Sequence, residues 1–174
     1  MEFGGGQSTL WWQTRARSVL TIEEDANWAE RLRPQLRPNV SLRHVPVDLA
    51  TRSIAPFRTL LEAHPVRAFD VIVVDGQLRE ETTALAFELL AQRGALILDD
   101  SESYEGIFDE IRKRNCRKVD FFGFSPGLSL RHCTSLVFVE DCFLLSPEIQ
   151  IPMLDIMLAV PPPERRPRLF LEDH

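Results

Sequence analysis

Apolar and polar residues alternate along this chain in two rhythms, the two-residue period of strands and the 3.6-residue period of helices. The plainest segment is Asp70–Val74 (DVIVV), almost wholly apolar and β-branched, which ends at Asp75-Gly76. Runs of this kind are buried on both faces, as in parallel sheets covered by helices. Ala95–Leu98 (ALIL) repeats the pattern and ends at Asp99-Asp100, and Ser18–Glu23 (SVLTIE) also ends in acid. Val40–Val45 alternates apolar with polar and closes at Val47-Asp48, while Lys118–Phe122 and Ser135–Val139 add two later strands. Helical patterns fall between them. Thr9–Ala16 comes first, then Asn27–Leu36 with Trp28, Leu32 and Leu36 in line and Asp25 or Asn27 as N-cap. Pro56–Ala63 has proline in its first turn, Glu80–Gln92 meets Gly94 as a stop signal, and Tyr104–Arg114 aligns Ile107, Phe108 and Ile111.

This alternation predicts an α/β doubly wound sheet, in which ligands bind beyond the carboxyl ends of the strands. Glu23, Asp48, Asp75 and Asp99 each end a predicted strand, so four acids are expected along one edge. Before the first helix stands Met1-Glu2-Phe3-Gly4-Gly5-Gly6-Gln7-Ser8-Thr9. It reads as the end of a strand, a glycine loop at Gly4 and Gly6 that admits φ > 0 and a close ligand, and a helix start whose N–H groups suit an anionic or polar group. Strands normally run about 5–6 residues, yet only Met1–Phe3 precede the loop. The sequence reading therefore expects a chain that begins late.

Composition narrows the class without naming a reaction. At 174 residues, 44% hydrophobic and 26% charged, the chain fits one ordinary globular domain. The expected division is a cofactor-binding domain over residues 1–145 and an extension with a proline-rich tail over 146–174. Within that extension Ile149–Val160 is apolar enough to pack as a helix or an added strand, and Pro161-Pro162-Pro163 ends it. A net charge of −6 speaks against a nucleic-acid partner, and the basic clusters near Arg112 and Arg165 read as solvated faces or tail. The three cysteines lack CxxC spacing, and no apolar run suits a membrane span or a signal peptide. A cytoplasmic protein with reduced cysteines is expected, its oligomeric state open, with a homodimer one form to test. Trp11 and Trp12 read as core or interface packing. Of the four histidines only His132 lies near a plausible substrate loop, Ser125–His132.

A glycine loop followed about 20 residues later by an acid suits a ribose-bearing cofactor. A nicotinamide dinucleotide would favour GxGxxG, but Thr9 stands where the third glycine belongs. Glu2–Thr9 resembles instead the first motif of class I S-adenosylmethionine-dependent methyltransferases, in its E-x-G-x-G-x-S/T form. The resemblance continues through Val19–Trp28, Val73-Val74-Asp75-Gly76 with Arg79, Gly94–Ser101 (GALILDDS) and Thr134–Phe138. It implies a mostly parallel seven-stranded sheet of order 3-2-1-4-5-7-6 with the last strand antiparallel. It also implies S-adenosylmethionine as cofactor and methyl transfer to a small-molecule acceptor. By the same resemblance Gly4 and Gly6 pass the methionine part, Glu2 and Ser8 lie beside its amino and carboxylate groups, and Glu23 binds the ribose hydroxyls. Asp48 sits near the adenine amino group, and Asp75 is the catalytic acid near the sulfonium. Asp75 with Asp99 and Asp100 could hold a divalent cation, but the family's metal-dependent members carry an Asp-Asn pair where this chain has Asp99-Asp100, so a metal is the lesser reading and none is assigned. A nicotinamide-dependent oxidoreductase and a non-catalytic or truncated relative are the alternatives.

Overall fold

The computed structural model describes residues 1–124 and 130–146; most of the Ser125–His132 loop and the expectations for Ile149–His174 lie outside these residues. In chain order the elements are β1 (Glu2–Phe3), α1 (Gln7–Trp12), β2 (Val19–Glu23), α2 (Ala26–Leu32), β3 (Val40–His44) and α3 (Ala55–Ala63). They continue with β4 (Phe69–Val74), α4 (Arg79–Leu89), β5 (Leu90–Leu98), α5 (Glu105–Lys113), β6 (Arg117–Phe124) and β7 (Arg131–Phe138). The seven strands form one sheet of order β3-β2-β1-β4-β5-β7-β6. β1 to β5 pair in parallel, whereas β7 runs antiparallel to both β5 and β6. The expected fold is therefore the observed one.

Strand alternation divides the two layers. Phe3, Leu20, Ile22, Ile72, Val74, Leu96 and Leu98 are buried with Phe57 and Leu61 of α3, Leu85 of α4 and Ile107 of α5. Phe3 is fully buried against Phe57, ring centroids 5.6 Å apart. Leu42 packs with Ala29 and Leu32 of α2 and with Leu10 in a second cluster. Burying a side chain such as Phe3 contributes about 2–3 kcal/mol, and this apolar interior fixes the register that sets the strand ends level.

Several element boundaries differ from the sequence reading. α1 starts earlier and ends at Trp12, and Trp11 is 49% exposed, stacked edge-on with Trp12 and under the Arg15 guanidinium rather than in the core. Asp25 is the α2 cap, accepting from the Trp28 amide at 2.8 Å, and Pro34 turns the following residues into a 3₁₀ turn. α4 stops at Leu89, because Leu90 already adopts an extended conformation and opens β5. Gly94 is thus no helix stop. It lies within β5, where a Cβ would meet the Leu90 side chain at 2.7 Å and the Asp70 carbonyl at 2.9 Å. Among the described residues no helix is long and apolar enough to cross a membrane.

Candidate functional site

The glycine loop joins β1 to α1 at the carboxyl edge of the sheet. Gly4 has φ +85, and a Cβ there would meet the Asp75 carbonyl at 2.7 Å and the Gly76 nitrogen at 2.8 Å, so only glycine fits. Gly6 differs from expectation: its φ of 174 is extended backbone open to any residue. A Cβ on Gly6 would meet nothing within 4 Å, so the loop faces open space there. Buried Thr9 closes the turn, its hydroxyl accepting from the Gly6 amide at 3.0 Å, while Ser8 is half-buried in the first turn of α1.

Two buried acids flank this loop. Glu23, 6% exposed, accepts from the Gly5 amide at 2.7 Å and from the Asp25 amide at 2.9 Å. Trp28 reaches back over the loop, its indole N–H donating to the Gly5 carbonyl at 2.6 Å. Glu2 is 1% exposed; one oxygen accepts from the Thr21 hydroxyl at 2.9 Å, and the other has no partner. A buried carboxylate oxygen without a donor is costly, about 1–3 kcal/mol or more. It lacks the donor that its burial calls for.

Beyond β4 and β5 the acids gather round one cation. Arg79, at the start of α4, is 12% exposed and binds Asp75 through Nη2 at 2.8 Å. Its Nη1 reaches Asp100 at 2.8 Å and the Asp99 carbonyl at 2.7 Å. Thr134 of β7 donates to the Asp99 carboxylate at 2.7 Å. Burial, with Asp99 close by, pushes the Asp75 carboxyl up to about 6 although Arg79 opposes the shift. Glu24 also rises to about 6, through burial and its neighbour Glu23. Its carboxylate lies against Gly76, so a Cβ there would require the Glu24 side chain to move.

The structure gathers Glu2, Gly4, Gly6, Ser8, Glu23 and Asp75 round the ends of β1, β2 and β4. Asp48 is the exception. β3 ends at His44, and Asp48 lies farther on in an exposed turn, accepting from the Ala50 amide at 2.9 Å. Asp100 makes no capping bond; it has φ 49 and turns its carboxylate to Arg79 and His132. Sequence reasoning gave no role to Arg79, Glu24, Thr134 or the Asp100–His132 pair. The available signals were the place of Arg79 and Thr134 in the resembling motifs and that of His132 beside the Ser125–His132 loop. Ligand atoms of Asp100, Glu102 and His132 lie within 4.8 Å of one another and could hold a divalent cation. A cavity of about 540 Å³ opens elsewhere, among Met1, Trp12, Val19, Phe69, Val71 and Phe143. None of the strand-end acids lines it, so volume alone does not locate the chemistry.

Neither the protein-family models nor the curated proteins contain a match to this sequence. Solved structures do match in fold. An O-methyltransferase from Bacillus cereus in complex with SAH is 17% identical, with a TM-score of 0.57, over 80% of this chain and 72% of that one. A precorrin-6y C5,15-methyltransferase from Geobacter metallireducens is 12% identical, with a TM-score of 0.54, over 78% and 76%. A spermidine synthase in complex with the transition-state analogue AdoDATO is 16% identical, with a TM-score of 0.52, over 80% of this chain and 51% of that one. At such identities the shared property is the fold, and function has to be argued from the site. The chain has the seven-stranded α/β fold of these methyltransferases, with its acids and glycine loop on the edge where such sheets bind ligands.

Proposed function

We propose that this chain binds S-adenosylmethionine along the carboxyl edge of its sheet and transfers the methyl group to a small-molecule acceptor. The observation that carries the reading is Glu2, whose buried, unpartnered oxygen beside the glycine loop fits an ammonium such as that of the methionine moiety. Ser8 takes the carboxylate side in this reading. Gly4 brings the loop against β4, and Gly6 leaves the space through which the cofactor passes. Glu23 already accepts two backbone N–H bonds, and a carboxylate has about four lone-pair sites, so capacity is left for two ribose hydroxyls. Asp48 is the acid assigned to the adenine amino group, from an exposed turn rather than a strand end. Asp75 faces the sulfonium as the catalytic acid, held by Arg79.

The cofactor supplies an electrophilic methyl group on a cationic sulfur. The protein's part is to position both reactants and to place negative charge where the cation sits. A nicotinamide cofactor fits less well, because fully buried Thr9 fills the third glycine position and its hydroxyl is committed to the loop. Isothermal titration with S-adenosylmethionine and S-adenosylhomocysteine tests the proposal. Both should bind with Kd below about 1 mM, and heat from neither at millimolar concentration overturns it.

A further inference from the structure

We propose that the outer edge of β6 is a docking surface for a second copy of this chain, the two β6 strands pairing antiparallel about a two-fold axis at Phe121. β6 is the last strand in the sheet order and is bonded to β7 on one side only. It runs for eight residues without a break, each from Arg117 to Phe124 opposite one residue of β7 and with no shift of register. Such an edge presents a row of unpaired N–H and C=O groups, and proteins normally blunt it with charge, proline or a bulge. Here the charges are turned onto the strand's own sheet. Arg117 binds Glu140 at 2.9 Å, and Lys118 binds Asp120 and lies 4.6 Å from the ring centroid of Phe108 on α5. Asp120 also accepts from the Ser135 hydroxyl of β7 at 2.6 Å. What remains at the edge is apolar: Phe121, Phe122 and Phe124 are 58%, 60% and 67% exposed, with exposed Val119 beside them.

Area and register both favour a second copy as the occupant. An aromatic side chain presents about 150–250 Å², so these three rings, Val119 and the edge backbone offer roughly 500 Å² per protomer. Two copies would bury about 1,000 Å², the lower bound for a specific interface. Alternate residues of a strand share a face, and directly opposite residues do too, so the axis has to fall on a residue. At Asp120 it would set two carboxylates opposite each other, which is destabilising. At Phe121 it brings the two Phe121 rings together and sets Asp120 opposite Phe122 and Lys118 opposite Phe124. Val119 then faces Gly123, where a Cβ would meet nothing within 4 Å and the space is open. An isologous contact of this kind closes at a dimer. β6 runs in the same direction as β5, since both are antiparallel to β7. Pairing β6 with its copy therefore sends the two candidate sites to opposite edges of the joined sheet and covers neither. The inference stands apart from the methyl-transfer reading.

Sedimentation velocity of the full chain, from about 1 to 100 µM, tests the proposal. Protomers of 20.0 kDa should associate to dimers with a Kd on the order of 10 µM, in keeping with so small an area. Phe121→Lys and Phe122→Lys, which place a charge on each face, should each weaken the dimer at least about tenfold. Their Tm should stay within about 2 °C of native, because both side chains are exposed. Oxidative cross-linking reads the register, since opposite Cβ atoms in such a pair lie about 4.5–5.5 Å apart. Phe121→Cys should link to its own copy, Val119→Cys should not, and Val119→Cys mixed with Gly123→Cys should. The native protein, with Cys116 half-buried and Cys133 and Cys142 buried, gives the background. A chain that stays monomeric throughout overturns the proposal, and so does a dimer that both lysine variants leave intact or a cross-link from Val119→Cys alone. A monomer that binds phosphatidylcholine–phosphatidylglycerol vesicles through these rings would overturn it in favour of a lipid surface.

Discussion

Glu23→Gln separates the structural duty of this acid from its proposed ligand duty. In the native chain the carboxylate accepts from the amides of Gly5 and Asp25 at 2.7 and 2.9 Å, almost wholly out of water. A glutamine keeps one acceptor oxygen but turns an NH₂ group towards the other amide, setting donor against donor. Hydrogen bonds to charged groups contribute about 1.5–3 kcal/mol each, so losing one and weakening the other should cost roughly 2–3 kcal/mol. For a domain of this size 1 kcal/mol moves Tm by about 2–4 °C, and calorimetry should therefore show a fall of about 5–10 °C. Titration well below that Tm should then show the S-adenosylmethionine Kd raised at least about tenfold, equivalent to 1.4 kcal/mol. A Tm within about a degree of native would refute the two-bond account of the loop. An unchanged Kd in folded protein would refute the ribose assignment.

Gly6→Ala gives the opposite signature: its Cβ meets no protein atom, so stability should change by less than about 0.5 kcal/mol while cofactor affinity drops, as thermal melts and titration would show. Arg79→Gln removes the buried cation shared by Asp75 and Asp100 and should destabilise by about 3 kcal/mol at pH 7, read from urea unfolding. The loss should shrink below pH 6, where Asp75 takes up a proton. In the native protein Asp75 and Glu24 both titrate near 6, above their unfolded values near 4, so the folded state holds their protons more tightly. The folding penalty from these two groups is therefore full above pH 6 and is relieved as pH falls towards 4. Ligand binding should follow the ionised forms: S-adenosylmethionine should tighten by about threefold or more between pH 5 and 7, and the uncharged thioether of S-adenosylhomocysteine by less.

The sheet was legible in the sequence because its signals are local. VIVV and ALIL are β-branched or apolar throughout, and strands with that pattern have one place to go, between two layers of helices. The glycine loop and the acids at the ends of β2 and β4 followed from the same reading. What escaped it depends on contacts distant in the chain. Gly94 carries the same residue type as a helix stop, yet the closeness of Asp70 on β4 decides its place inside β5. Asp48 was expected at a strand end, but β3 stops at His44 and the intervening residues carry it into solvent. Arg79 is one basic residue in an acidic helix start, and only the fold shows three acids converging on it. Asp100 and His132 stand 32 residues apart, so their pairing has no local signature. Trp11 lies outside the core for a related reason: its helix ends four residues, about one turn, before the expected end and leaves the indole exposed.

The central claim concerns one edge of one sheet, and a crystal structure of the protein with S-adenosylhomocysteine tests it most directly. The account places the ribose hydroxyls on the Glu23 carboxylate, the amino group on the unpartnered oxygen of Glu2, and the sulfur on the side of Asp75. Density for the ligand at the opposite edge, or a bound ligand whose ribose and amino group touch neither Glu23 nor Glu2, would contradict it.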